Sequence, residues 1–424
     1  MRRRRVQWSA RLRRAIRDRH VRTVHYVASV HEQVEQRIVH ECMRRVGDVV
    51  APARVAESRV GGKRCVTFLD RYDKLIDSVT AAHLFDALGL QRPNRNKIVR
   101  TLLAVLHEVG PATVCRMDVA SCFETIDRPT ALEMLRANCR IGRVAERVLD
   151  RFDHVCRTNA VDGVPRGMAI SSAVSEWLLS HLDCRLQHLP GVYFYARFVD
   201  DIVLVVSQGS PLTEPLEHVE GLLGELPGNL VLNGAKKAEL TVSGRTRASC
   251  SKPWLSKSFE YLGYTISSPV GRDALSVDMS PRKVKRLKSK IVASFLQFRQ
   301  SRDFHQLLDA MRYLSSNTVL LRRGNVSKVM HTGIFYNYPA ITPDTYRAGA
   351  LPEIDRFVRA LVFGRKRRLS REVGRLLQPR RKKRLLRLSF VAGHRQRTFF
   401  RISRDKARRL VEGWKRSGDG LSGW

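Results

Sequence analysis

Residues 192–206, VYFYARFVDDIVLVV, set two acids, Asp200 and Asp201, between two runs of β-branched and aromatic residues. Two such runs joined by a tight polar junction, Val199-Asp200-Asp201, read as a β-hairpin. Aspartate is common in turns for its own local hydrogen bonding. Two adjacent acids beside strands this apolar are nevertheless costly unless cations or polar partners stand next to them. Upstream, TVCRMDV at 113–119 is a second short β-rich run, and it carries Asp118 near its end.

The hairpin and the Asp118 strand anchor the rest of the pattern. Asp127-Arg-Pro-Thr starts a helix through Met134 and Leu135, and a long apolar helix runs from Ser171 to about Leu189. A helix from about Leu212 to Leu226 and a strand pair around Phe259–Ile266 complete a β-α-β-β-α-β outline. Toward the N-terminus, Val24, Val27, Val30, Val34 and Ile38 fall at three- and four-residue steps. They predict a helix over 10–45 that ends before Gly61-Gly62. A second helical pattern spans about Asn96 to His107 and closes at Gly110-Pro111. From Ser280 onward the pattern is helical and very basic, and 365–388 carries the single acid Glu372.

A strand ending in Asp118 and a hairpin tip bearing Asp200-Asp201 bring carboxylates from separate strands to one sheet edge. Nucleotidyl transfer needs such a cluster, because two Mg²⁺ ions about 3.5–4 Å apart clamp the attacking and leaving oxygens. Hard cations of this kind select oxygen ligands. Composition points the same way. The formal net charge is +37 over 424 residues, and a self-repelling excess of that size makes a polyanion the default partner, with an anionic membrane surface as the competitor. No run of 18 apolar residues occurs, so no membrane span is expected. The N-terminal MRRRRVQWSARLRR lacks a secretory signal's apolar core. The eight cysteines form no CxxC pair and the 13 histidines no HExxH cluster. A reduced, cytoplasmic protein without zinc is the expectation.

The ordered set RMDVASCFETID (116–127), GVPRGMAISS (163–172), YARFVDDIVLVV (195–206), LVLNGAKKAEL (230–240) and FEYLGYTI (259–266) resembles the successive palm motifs of reverse transcriptases. The resemblance covers roughly 95–270 and implies an α+β right-hand polymerase with fingers, a ferredoxin-like antiparallel palm and a helical thumb. The implied divisions are an N-terminal basic helical region at 1–60, fingers at 61–112 and a palm at 113–270 with a fingers portion about 138–170. A helical thumb at 271–350 and a basic C-terminal helical region at 351–424 follow. By the same resemblance Asp118, Asp200 and Asp201 bind two Mg²⁺ ions (Mn²⁺ is the alternative), with the Val119 backbone beside them.

Phe123 stands where the family packs an aromatic ring under the nucleotide sugar, which would exclude a 2′-hydroxyl. Gly163-Val-Pro-Arg-Gly167 resembles the family's glycine–proline–glutamine–glycine loop, with Arg166 in place of glutamine and Gly167 near the nucleotide. Lys236 matches the lysine that reaches the triphosphate, although the adjacent Lys237 competes for that role. Arg95, in a segment resembling a finger block, is the candidate over the triphosphate. Leu262 and Gly263 match a primer grip. Arg197 and Arg116, on the acid-bearing strands, could pair with those acids or with phosphate. Lys283, Lys285 and Lys288 lie at helical spacing suited to a duplex backbone.

No protease, RNase H, integrase or HNH pattern accompanies these motifs. The chain therefore looks like a stand-alone bacterial enzyme. NRNKIVRTLLAVLHEVG (94–110) and Gly333-Ile-Phe-Tyr-Asn-Tyr-Pro339 are most similar to antiviral, defence-associated reverse transcriptases, with retron and group II intron enzymes as relatives. That resemblance implies dNTPs as substrates, a DNA product, and an RNA template that is a dedicated non-coding RNA. It further implies a second protein or a homo-oligomer. A silent, maturase-like RNA-binding protein is the alternative that the intact acids argue against.

Overall fold

The computed structural model describes residues 8–20, 28–50, 52–60, 62–243, 254–269, 274–321 and 329–418. The chain divides into two compact units. The first runs to Ile98 and resumes over Val109–Val242; the second takes Val99–Glu108 and nearly all of the chain after Ser243.

In the first unit, the strands Val55–Val60 (β1) and Lys63–Phe68 (β2) form an antiparallel hairpin. Ala112–Asp118 (β3), Val192–Phe198 (β4), Asp201–Ser207 (β5) and Ala238–Val242 (β6) form a four-stranded antiparallel sheet in the order β4-β5-β3-β6. With the helix Ala169–Leu186 between β3 and β4 and the helix Pro215–Gly224 between β5 and β6, this is the split β-α-β arrangement. The fourth strand is therefore β6 and not the Phe259–Ile266 pair that the sequence suggested. Strand β5 is the hydrophobic centre: Ile202 through Val206 are at most 1% exposed. A continuous apolar run is what a strand buried on both faces requires, at about 1.5–3 kcal/mol for each fully buried side chain.

Several helices depart from expectation. The long N-terminal helix is two described helices, Trp8–His20 and Ala28–Gly47, and Val24 and Val27 lie outside the described residues. Residues 55–60, inside the stretch expected to be helical, are β1. Gly62 (φ 81°) serves the β1–β2 turn, while Gly61 lies outside the described residues. The helices Arg71–Ala87 and Arg143–Thr158 were not legible as such, although both pack in the main core.

The second unit holds Phe259–Tyr261 (β7), Tyr264–Ser267 (β8) and Ser276–Met279 (β9), an antiparallel three-stranded sheet in sequence order. The stretch 113–270 read as one palm thus contributes β3–β6 to the first unit and β7–β8 to the second. After β9 come the helices Pro281–Ser301 and Phe304–Ser315, then Asn317–Leu321 (β10) and Val329–Gly333 (β11), an antiparallel pair inside the region read as helical. Helices then continue to residue 418. Among the described residues no helix is long and apolar enough to cross a membrane.

Candidate active site

The register of β3 against β5 sets Asp118 directly opposite Asp201. Directly opposed residues in an antiparallel pair hold their Cβ atoms about 4.5–5.5 Å apart, so their carboxylates are neighbours by construction. Phe198 pairs with Asp201 across β4 and β5, leaving Val199 and Asp200 as the two turn residues. Asp201 is thus the first residue of a strand and not part of the turn. Val199 takes a left-handed φ of 63°, and the Asp200 carbonyl accepts the Val119 amide at 3.0 Å. One carboxylate oxygen from each of Asp118, Asp200 and Asp201 lies within 4.8 Å of the others.

Asp118 is 4% exposed. Burial, then the charges of Asp118 and Asp200, push the Asp201 carboxyl above its ordinary value, against the pull of Arg116 and Lys236. Three crowded carboxylates of this kind are the oxygen donors that hard divalent cations select, and the set fits such an ion.

The loop after residue 230 closes the site from the other side. The Asp118 carbonyl accepts the Asn233 amide at 2.7 Å, and the Val231 carbonyl accepts the Ala120 amide at 2.9 Å. Asn233 Oδ1 caps the short 3₁₀ turn Gly234–Lys236 through the Ala235 amide. That turn aims Lys236 Nζ at Asp118 Oδ2, 2.7 Å away. Lys237 Nζ pairs instead with Glu220 Oε2 at 2.5 Å. Of the two competing lysines, Lys236 is the one at the acids. Arg116 Nη2 stands 3.7 Å from Asp201 Oδ1, so this strand arginine does face the cluster. Val119 is buried, and its amide is the donor to Asp200.

Phe123 sits in the short helix Cys122–Thr125 and is 8% exposed. The Arg166 guanidinium lies 4.6 Å from the centre of its ring. Arg166 Nε also donates to Glu124 Oε1 at 2.7 Å. Burial opposes ionisation of Glu124, but Arg166 outweighs it and holds the carboxyl below the usual range. Arg166 is therefore held by Glu124 and the Phe123 ring. The loop is held close by its glycines. A Cβ on Gly163 (φ 60°) would stand 2.3 Å from the Phe123 carbonyl oxygen, and one on Gly167 (φ 102°) would stand 2.8 Å from the Val66 carbonyl oxygen.

Arg197 corrects an expectation. Its guanidinium is bidentate to Asp183 (2.8 and 2.6 Å) and to Glu176 (3.0 and 3.1 Å), and Nη1 also donates to the Val199 carbonyl at 3.0 Å. The side chain is 2% exposed. It braces the turn that carries Asp200 from beneath and cannot reach a primer or template.

Arg95 opens the helix Arg95–Glu108 and is half-buried. The other expected contacts belong to the second unit. Leu262 (φ 47°) and Gly263 (φ 84°) form the β7–β8 turn, with left-handed backbone at both turn positions as tight hairpins require. Lys283, Lys285 and Lys288 lie on the helix Pro281–Ser301; Lys285 is exposed and Lys283 half-buried. Lys288 departs from a phosphate-facing role, because Nζ pairs with Glu353 and lies 5.2 Å from the centre of the Phe357 ring.

Sequence reasoning missed the supports. Asp77 Oδ2 and Oδ1 accept the Ala169 and Ile170 amides at 2.8 and 2.9 Å, capping the long helix. Arg128 ties Asp153 to the carbonyls of Val161 and Gly163, just ahead of Arg166. Each charge was visible in the sequence, and its partner was not.

The family model for reverse transcriptase (RNA-dependent DNA polymerase) matches residues 55–266. No curated protein matches the chain. Solved structures do. The apo telomerase of Candida tropicalis, truncated from its C-terminal domain, is 11% identical at a TM-score of 0.36, covering 59% of this chain and 60% of that one. The telomerase of Candida albicans, in complex with a fragment of telomeric RNA, is 12% identical at a TM-score of 0.34, covering 86% of this chain and 63% of that one. The chain thus spans less than two thirds of the length of either.

Proposed function

The chain belongs to the reverse transcriptase family, and from that premise we propose that it is an RNA-directed DNA polymerase adding dNTPs to a primer or priming group. The observation that carries this reading is the meeting of Asp118, Asp200 and Asp201 within 4.8 Å, with Lys236 on Asp118.

In this reading Asp118, Asp200 and Asp201 hold two Mg²⁺ ions (Mn²⁺ is the substitute), with the Val119 backbone at their edge. Bound there, the ions supply positive charge to the attacking and leaving oxygens of an in-line displacement. Lys236 Nζ delivers a proton to the departing pyrophosphate, the general-acid role its place beside Asp118 suits. Phe123 backs the sugar and excludes the 2′-hydroxyl, while Glu124 and Phe123 fix the Arg166 guanidinium at the rim. Arg95 meets the triphosphate. Leu262 and Gly263 serve as the primer grip, and Lys283 and Lys285, on the thumb, meet the backbone of primer and template.

The finer reading is a bacterial antiviral-defence enzyme acting in the cytoplasm on an associated non-coding RNA, with a second protein or a second copy of the chain. Its support is the resemblance of residues 94–110 and 333–339 to that group. The test is incorporation of labelled dNTPs on a primed RNA by the full chain and by Asp200→Ala. We expect Mg²⁺-dependent DNA synthesis that Asp200→Ala abolishes. Equal activity in the two proteins, or none in either, refutes the polymerase reading. Sequencing the co-purifying nucleic acid tests the finer one: a discrete small RNA supports it and random cellular RNA overturns it.

A further inference from the structure

The second unit carries a group of rings for which the polymerase reading has no use. His331 on β11, Tyr336 in the short helix Ile334–Asn337, and Phe399 form a triangle. His331 and Tyr336 stack with centres 4.9 Å and planes 26° apart, and Phe399 lies 5.7 Å from His331 and 5.8 Å from Tyr336. Phe399 is 46% exposed, and Val319, opposite His331 in the hairpin, is 43% exposed. His331 is exposed as well. Large apolar groups left together at a surface mark a binding site more often than an accident.

The frame beneath is built to hold them. Asn317 is fully buried, and its Nδ2 donates to the carbonyls of Gly393 and Thr398, both at 3.2 Å. Its Oδ1 accepts the Phe335 amide at 2.9 Å. Its own backbone pairs with Thr398 and Phe400 at 2.8 and 2.7 Å. A single buried side chain thus fixes β10, the Tyr336 helix and the Phe399 segment against one another. Arg397, at a left-handed φ of 52°, stacks on Phe335 at 4.3 Å. Strained non-glycine backbone of this kind persists where the surroundings over-determine it.

Charge chooses the ligand. From Ala310 to Pro343, and again from Val373 to Arg404, the sequence contains no Asp or Glu, and Arg395, Arg397 and Arg401, within four residues of Phe399 in the chain, are exposed. Flat rings with exposed arginines close by in the chain, and with no acid in the segments that present them, fit a polyanion with flat faces. We propose that His331, Tyr336 and Phe399 form a stacking platform for unpaired nucleotides, with Arg395, Arg397 and Arg401 meeting the phosphates of that single strand. The platform is independent of the three aspartates.

The test uses the full chain and fluorescence anisotropy with labelled oligouridylate and oligothymidylate of about 12 nucleotides, within the span such sites cover. A duplex of equal length is the control, since its bases are already stacked. Phe399→Ala and His331→Ala should each weaken single-strand binding about tenfold, near the lower bound for one base–ring contact. Neither should change the salt slope or duplex binding, and Phe399→Trp should bind as the parent does. Arg395→Ala with Arg401→Ala should lower the single-strand salt slope by about 1.4, roughly 0.7 per phosphate contact. Loss on both sugars, or on RNA alone, supports the platform. Parent-like single-strand binding by both ring variants, with unchanged thermal unfolding, overturns it, as does equal loss on single strand and duplex. Asp200→Ala should bind as the parent does, so failure of the platform and failure of the catalytic reading register separately.

Discussion

Replacing Arg197 by Met separates two roles that a strand arginine near an acidic turn could play. The guanidinium makes five hydrogen bonds, two to Asp183, two to Glu176 and one to the Val199 carbonyl. Asp183 and Glu176 are themselves 22% and 16% exposed. Tyr195 also donates to Asp183 at 2.6 Å, but a phenol adds no positive charge. Met fills the aliphatic volume and leaves two largely buried carboxylates facing each other without a cation. Removing one partner of a buried charge network costs about 3–5 kcal/mol. For a unit of this size that corresponds to a fall in Tm of roughly 6–20 °C. The turn also loses its hold on Val199, whose φ of 63° is strained for a β-branched residue, so dNTP incorporation should fall even in the folded fraction. Lysine is no remedy, because a single ammonium cannot be bidentate to two carboxylates at once. The assay is urea unfolding of parent, Arg197→Met and Arg197→Lys, paired with RNA-binding affinity across a salt series. A buried brace predicts the stability loss with an unchanged salt slope. Parent-like stability together with a slope reduced by about one would mean that Arg197 contacts phosphate and does not brace the turn.

Other consequences follow from the same geometry. Phe123→Val should raise ribonucleotide incorporation relative to deoxynucleotide roughly ten- to a hundredfold, the range one steric contact in a pocket commands; unchanged discrimination in single-nucleotide extension would make Phe123 ordinary core. Lys236→Met should lower kcat about 10²–10⁴-fold, the usual contribution of a general acid, while Lys237→Met, which loses only Glu220, should stay within about tenfold of the parent. His394 is held below its ordinary pKa by burial, with Nε2 donating to the Tyr338 carbonyl and Nδ1 accepting from the Tyr346 hydroxyl, both at 2.9 Å. The unfolded chain therefore binds the proton first on acidification. His394 contributes stability above its unfolded pKa of about 6.5, and that stability is lost as pH falls through this value toward the folded one. The urea midpoint should drop more between about pH 7.5 and 5.5 in the parent than in His394→Gln; parallel curves would remove His394 as the cause.

What was legible in the sequence had a local cause. Strand β5 announces itself because Ile202 to Val206 is an unbroken β-branched and leucine run, and the acids at its start stand out against that run. The helix Arg71–Ala87 was missed because two of its acids look like surface charge. In the structure Asp73 is 3% and Asp77 7% exposed. Asp73 is paired with Arg45 and Arg151, and Asp77 with the amides that open the 169–186 helix. A buried charge carries its justification on another segment, which spacing along one segment cannot reveal. The β10–β11 hairpin was hidden for a related reason: its stretch is short and interrupted by basic residues, and Asn317 secures it through bonds to residues 393 and 398.

Arg197 is different, because its place is decided by strand register. Side chains alternate faces along a strand, and a shift of one residue moves every one of them to the other side. In the observed register Arg116 opposes Val203 and Asp118 opposes Asp201, whereas Met117 opposes Ile202. Arg197 opposes Ile202 as well, and Met117 and Ile202 both belong to the core cluster that contains the 169–186 helix residues. Arg116 therefore shares the face of the acids, and Arg197 shares the face of the helix that supplies Glu176 and Asp183. Because the turn is Val199 and Asp200 alone, Phe198 takes the face of Asp201 and Arg197 the opposite, inner face; the three-residue junction read from the sequence would have put Arg197 on the face of the acids. A guanidinium there must find carboxylates or destabilise the fold. Proximity in sequence to an acid of the cluster is thus a weaker guide to placement than parity along the strand, and parity is what sends one of these two arginines to the acidic cluster and the other beneath it.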